Sequence, residues 1–155
     1  MNSHKELILK KDITNEDQFI EIVSSFKSSL NILNTAKVCF LLSGDLAAGK
    51  TTFVKIFCKS YGIENVSSPT FSLHHVYSNG DVQIDHFDLY RLNNESEIET
   101  SGVWETFEKP KSLVFIEWPE RIDIKEIPMD YKIYEIKIQI LTENNRSISI
   151  YDVLS

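Results

Sequence analysis

The sequence predicts a single α/β domain over residues 1–155, with a central mixed sheet, helices on both faces and antiparallel hairpins. Three observations carry that prediction. The run Val38-Cys39-Phe40-Leu41-Leu42 is apolar at every position, as a strand covered on both faces must be. The stretches at 14–30 and 51–62 carry apolar residues at helical spacing. Toward the C-terminus, apolar and polar side chains alternate one by one, the pattern of strands with a single buried face.

Each element follows from its residues. "ELILK" at 6–10 reads as a short strand. Thr14 is the expected N-cap of the next helix, with Asp17 three residues on, and Phe19, Ile22, Val23, Phe26 and Leu30 form its core-facing stripe. The apolar run at 38–42 is the expected central strand, and "TTFVKIFCKSYG" continues as a helix with Gly62 as its C′ residue. After Pro69, the alternating runs "FSLHHVYS" and "DVQIDHFDLY" flank Asn79-Gly80, a dipeptide suited to a type I′ hairpin turn. With those two as the loop, Ser78 pairs with Asp81, Phe71 faces Asp88 and Thr70 faces Leu89, so that Thr70 and Asp88 share one end. A short helix starts near Asn94, and "SLVFIE" at 112–117 is a buried strand. Tyr134, Ile136, Ile138 and Ile140 then alternate with Glu135, Lys137 and Gln139, and the turn "ENNR" leads into a last strand, "SISIYDV".

Composition narrows the function classes. A chain of 155 residues buries about two-thirds of its unfolded surface and needs no covalent staple. Cys39 and Cys58 read as small core residues in a reduced protein. The start "MNSHKELILKKD" has no apolar signal segment, and no run is long enough to span a bilayer, so a cytoplasmic protein with no membrane role is expected. With 16 basic against 23 acidic residues, the net charge of −7 repels a phosphate backbone and makes any nucleic-acid role indirect. His4, His74, His75 and His86 lack metal-ligand spacing with either cysteine and read as structural or solvated.

The chemistry concentrates at "SGDLAAGKTTF", residues 43–53. Gly44-x-x-x-x-Gly49-Lys50-Thr51 fits the P-loop pattern, and it sits between a strand and a helix as that pattern requires. The fold class is therefore P-loop NTPase-like. Successive amides of Gly44, Asp45, Leu46, Ala47, Ala48 and Gly49 must converge on phosphate oxygens, which favours small side chains, and the helix N-terminus adds partial positive charge. Lys50 is expected to reach the β- and γ-phosphates, Thr51 to ligate Mg²⁺, and Thr52 to contact the α-phosphate. Glu117 is the Walker B candidate, because Leu113 to Ile116 would carry it beside the loop on a parallel strand. Thr70 and Asp88, a hydroxyl and a carboxylate held together, suit a nucleotide-sensing switch; the plainer alternative is a turn cap and a pair with Arg91.

"GDLAAGKTTF", "SPTF" (68–71), "HFDLYRL" (86–92) and "EWPER" (117–121), in this order, resemble the TsaE (YjeE) family, bacterial ATPases of tRNA N6-threonylcarbamoyladenosine synthesis. The resemblance implies a P-loop fold with a partly antiparallel sheet and ATP and ADP as nucleotides. It further implies a complex with TsaB and TsaD, in which TsaD transfers the threonylcarbamoyl group and tRNA is met only through the complex. By the same resemblance Lys50 binds phosphate, Thr51 and Glu117 ligate Mg²⁺, Thr70 lies in a switch loop, Asp88 is a catalytic acidic residue and Trp118 lies beside the nucleotide. The chain departs from the family at Ala47, where glycine is usual; at positive φ its methyl group would cost on the order of 1 kcal/mol.

Two other classes stay open at this level. A small-molecule kinase needs an acceptor pocket and arginines over the phosphates, and this chain has only Arg91, Arg121 and Arg146. A nucleotide-gated interaction module would bind ATP and hydrolyse it negligibly. A guanine-reading Asn-Lys-x-Asp element is absent from the sequence, which speaks against a GTPase.

Overall fold

Seven strands form one mixed sheet with helices on both faces in the computed structural model, which describes residues 4–30, 37–69, 71–80, 82–110 and 112–154. In chain order the elements are β1 (Lys5–Ile13), α1 (Glu16–Ser29), β2 (Lys37–Ser43), α2 (Lys50–Lys59), β3 (His74–Asn79), β4 (Val82–Asp88), α3 (Glu95–Thr100), α4 (Val103–Thr106), β5 (Ser112–Glu117), β6 (Lys132–Ile140) and β7 (Arg146–Val153). The strand order is β1-β7-β6-β2-β5-β4-β3. The four inner strands β6, β2, β5 and β4 are mutually parallel, and β3, β7 and β1 join antiparallel at the flanks.

Side-chain alternation in β2 explains the two layers. Val38, Phe40 and Leu42 face α1 and α2, where they meet Phe19, Ile22, Phe53 and Phe57; Cys39 and Leu41 face Ile98, Val103 and Phe107 on the other side. Phe40 stacks on Phe115 with ring centroids 4.5 Å apart, and Phe57 packs against both. Each buried phenylalanine contributes about 1.5–3 kcal/mol. This cluster clamps α2 onto β2 and β5, so the loop between β2 and α2 can hold a strained residue at about 1–3 kcal/mol without melting its frame. Cys39 and Cys58 are buried free thiols, and burial pushes Cys58 up to about 12, which suits inert core residues.

Several boundaries differ from the sequence expectation. Strand β1 runs beyond "ELILK" at both ends. Asn15, not Thr14, caps α1: its Oδ1 accepts from the Gln18 amide at 2.9 Å, while Gln18 Oε1 accepts from the Thr14 amide at 2.7 Å. Gln18 thus completes the reciprocal cap that Asp17 was expected to make. With Ser60 as C-cap of α2, Tyr61 takes the C′ position expected of Gly62, and Gly62, at φ +78°, lies one residue further on.

The hairpin register is shifted by two. Ser78 pairs with Gln83 and Asn79 with Val82, so Asn79 belongs to the ladder and not to the turn. Asn79 stays in β3 because its side-chain amide donates to the Tyr61 carbonyl. A two-residue slip leaves every side chain on its predicted face. The residue facing Asp88 becomes Leu73, whose carbonyl accepts from the Asp88 amide at 3.0 Å. Thr70 and Asp81 lie outside the described residues. Among the described residues no helix is long and apolar enough to cross a membrane.

Candidate functional site

Strands β2, β5 and β4 end side by side, with Leu42 paired to Glu117 and Glu117 to Asp88. Parallel strands deliver their C-terminal ends to one edge of the sheet, and the loop after β2 lies along that edge. A Cβ on Gly44 would overlap the Ile138 carbonyl oxygen of β6, so glycine lets the loop lie flat against the sheet. Gly49 takes φ +120° as it caps α2. Ala47 takes φ +64°, the left-handed conformation in which its methyl group carries a cost.

Lys50 begins α2 and is only 5% exposed. Its Nζ donates to the Gly44 carbonyl and, at 3.0 Å, to the Asp45 carbonyl, and lies 4.2 Å from the Trp118 ring centroid. Burial lowers the Lys50 pKa, against the opposing pull of Glu117, Asp88, Glu120 and Asp45. In the same turn Thr51 Oγ1 donates to Glu117 Oε2 at 3.0 Å and stands 3.2 Å from Oε1. Asp88 Oδ1 accepts from the Tyr90 amide at 3.0 Å, and Oδ2 accepts from Ser68 Oγ at 3.4 Å.

These groups surround a cavity of about 220 Å³. Of the residues expected from the sequence, Leu46, Ala47, Ala48, Gly49, Lys50, Thr51, Thr52, Asp88, Glu117 and Trp118 line it, whereas Gly44 and Asp45 form the base of the loop. Loop amides, a helix N-terminus and an ammonium are the groups here that could hold a phosphate-bearing anion. The Thr51 hydroxyl beside the Glu117 carboxylate is a hard-oxygen pair that suits Mg²⁺. Among the described residues no set of three His, Cys, Asp or Glu side chains converges on a metal position. Mg²⁺ bound through two side chains would complete its shell with phosphate and water oxygens, as it prefers.

Two residues at the site were not singled out from the sequence. Ser68 lines the cavity, although it belongs to the quoted "SPTF". His86 is fully buried, and its Nε2 donates to Glu117 Oε2 at 2.6 Å. Alternation along β4 puts Ile84, His86 and Asp88 on one face, and this signal could have separated His86 from the other histidines. Ala47, Leu73 and Trp118 are the described non-glycine residues with positive φ, and two of them line the cavity. Such outliers concentrate at functional sites.

A loop bounded by Gly44 and Gly49 between a parallel strand and a helix, with a carboxylate from the next parallel strand bonded to Thr51, places the chain among the P-loop NTPase-like α/β proteins. The crystal structure of Bacillus subtilis YdiB agrees in fold, with a TM-score of 0.67 at 23% identity, covering 99% of this chain and 88% of that one. The chain belongs to the TsaE family: the model described as "Threonylcarbamoyl adenosine biosynthesis protein TsaE" matches residues 13–148. It is 31% identical over 129 residues to the tRNA threonylcarbamoyladenosine biosynthesis protein TsaE of Borreliella burgdorferi, covering 77% of this chain and 93% of that protein. It is 33% identical over 150 residues to the Aquifex aeolicus protein of the same name, covering 95% and 96%.

Proposed function

We propose that the chain binds ATP with Mg²⁺ and hydrolyses it as a cytoplasmic component of tRNA N6-threonylcarbamoyladenosine synthesis, working with TsaB and TsaD. Family membership supports the pathway, and the meeting of Thr51 Oγ1 with Glu117 Oε2 at 3.0 Å beneath the loop carries the chemistry. A surface glutamate at a strand end would have no reason to be 3% exposed and bonded by two side-chain donors.

In this reading the loop amides and Lys50 hold the phosphates, and Lys50 exchanges the carbonyls of Gly44 and Asp45 for phosphate oxygens. Thr51 and Glu117 hold Mg²⁺, which supplies neutralisation of charge on the transferring phosphoryl group. Asp88, at the adjacent strand end, orients the attacking water, and Trp118 covers one side of the site. Because the chain carries a net charge of −7, the tRNA is held by its partners. The test is reconstitution of threonylcarbamoyl transfer from purified components with and without this chain, together with Mg²⁺-dependent ATP binding by the chain alone. Failure to bind ATP in Mg²⁺ overturns the proposal.

The arginines keep one variant of this reading open. Arg91 stacks over Phe71 at 4.5 Å, Arg121 donates to the Tyr90 carbonyl at 3.2 Å, and Arg146 donates to carbonyls of its own hairpin turn. None of the three lines the cavity, which favours a gated module, slow by itself, over a kinase.

A further inference from the structure

Behind the cavity a chain of polar groups, buried at His86 and Tyr77, leads from Glu117 to the exposed segment at Ser67–Ser68. The carboxylate can only accept, so His86 Nε2 donates to it at 2.6 Å. The other ring nitrogen, His86 Nδ1, lies 3.3 Å from the Tyr77 hydroxyl. That hydroxyl donates to the Ser67 carbonyl at 2.9 Å, and His75 Nδ1 stands 3.3 Å from the hydroxyl and 3.2 Å from the same carbonyl. The next residue, Ser68, lines the cavity and donates to Asp88. The segment at Ser67–Ser68 is thus tied to both strand-end carboxylates, to Asp88 directly and to Glu117 through two side chains.

Tyr77 has one hydroxyl proton for two acceptors. Given to Ser67, it holds the segment; given to Nδ1 of a neutral His86 ring, it holds the imidazole, and His75 can then supply the proton at the Ser67 carbonyl. The two patterns differ by rotation of one hydroxyl, and only the second gives Nδ1 of a neutral His86 ring a donor. Tyr77 and His86 lie on adjacent antiparallel strands, where the pairing of Tyr77 with Ile84 and of His75 with His86 fixes their spacing. A phenylalanine would fill the same apolar space, so packing alone does not explain the hydroxyl.

We propose that Tyr77 is a positioning residue that, through His86, couples the Ser67–Ser68 segment to the orientation of the Glu117 carboxylate. The inference rests on the reading of Glu117 as the metal-ligating acid. A change at that carboxylate then reaches the segment through the sheet interior, and a displacement of the segment reaches the carboxylate by the same route.

The test uses the full chain with MgATP, its TsaB and TsaD partners added to saturation, and three variants: Tyr77→Phe, His86→Gln and the double variant. Gln keeps an amide donor toward Glu117 and gives up the bond to Tyr77. Tyr77→Phe is expected to lower kcat about tenfold with KM and the calorimetric affinity for MgATP changed less than twofold, the scale typical of residues supporting a metal ligand. In the double variant the loss is expected to match that of His86→Gln alone. An unchanged kcat in Tyr77→Phe, or losses that multiply in the double variant, overturns the inference. A second arm needs no variant: hydrogen exchange of a peptide spanning 64–73 in the wild-type chain is expected to be slower with ATP analogue plus Mg²⁺ than with the analogue in EDTA, and equal rates overturn the coupling. A wild-type chain that does not bind MgATP sinks the reading of Glu117 itself, a result separate from wild-type binding with an indifferent Tyr77→Phe.

Discussion

At the scale of single residues, the loop owes its legibility to local geometry. Two glycines five apart, a lysine and a threonine meet a backbone requirement within eight residues, and that requirement can be read without knowing the fold. The pairing of His86 with Glu117 was illegible for the opposite reason, although alternation along β4 sets His86 apart from the other histidines. Its partner Glu117 lies 31 positions away, and only strand order brings them to 2.6 Å. Thr51→Ala and Glu117→Ala should each abolish Mg²⁺-dependent hydrolysis and leave the fold intact, since both side chains sit at element ends; steady-state rates and circular dichroism check this. Hydrolysis surviving in Glu117→Ala would move the metal role elsewhere. Ala47, at φ +64°, gives a second prediction. Ala47→Gly relieves roughly 1 kcal/mol and should tighten ATP binding up to about tenfold in a calorimetric titration. Asp88→Ala should cut kcat far more than ATP affinity, because its assigned task concerns water and not the nucleotide; equal losses in both would make it a binding residue.

At the scale of elements, β2 and β5 could be read because a strand buried on both faces is apolar throughout, whatever its neighbours. The β3–β4 hairpin was read in the right place with the wrong register. Turn propensity favoured Asn79-Gly80, but the bond from the Asn79 amide to Tyr61, a tertiary contact, overrode it. Helix α4, only four residues long, has too few positions to show a period. The hairpin is anchored by Asp85, fully buried, which accepts from His74 Nε2 at 2.7 Å and from Lys109 Nζ at 2.8 Å. Burial raises its pKa, but bonds from His74, Lys109 and Gln83 more than offset this and hold it below the ordinary value of 3.8. A depressed carboxylate contributes stability that is present above its unfolded value and lost as pH falls through its folded one. Urea melts of wild type and Asp85→Asn should therefore differ most at neutral pH and converge below about pH 4. A constant gap down to pH 3 would show that the charge of Asp85 is not what anchors the hairpin.

At the scale of the whole molecule, all the strand-end groups of the site sit on one edge of the sheet, and none of the positive charge there comes from arginine. Phosphoryl transfer is accelerated chiefly by cationic groups aimed at the transferring phosphoryl, and an arginine supplied to such a site is worth about 10³ to 10⁵ in rate. The pure chain should therefore turn over ATP well below the roughly 1–100 per second of kinases, and saturation with TsaB and TsaD should raise the rate. Steady-state hydrolysis with and without the partners decides the matter; fast turnover alone, unchanged on adding them, would sink the expectation. A partner surface that would complete the site under the proposed function was not legible in the sequence, because recognition depends on surface shape and carries no fixed residue spacing.

The contact between Lys50 and Trp118 has a consequence of a different kind. Of the two tryptophans, Trp104 packs on Phe107 in the layer away from the loop, whereas the Trp118 indole has an ammonium 4.2 Å from its centroid. A charge this close alters the energy and lifetime of the excited indole. Under the proposed function Lys50 leaves the ring for an anion, and Trp118 emission should then change. Trp118 emission would then serve as an optical gauge of occupancy, and Trp104→Phe would isolate that signal without touching the cavity.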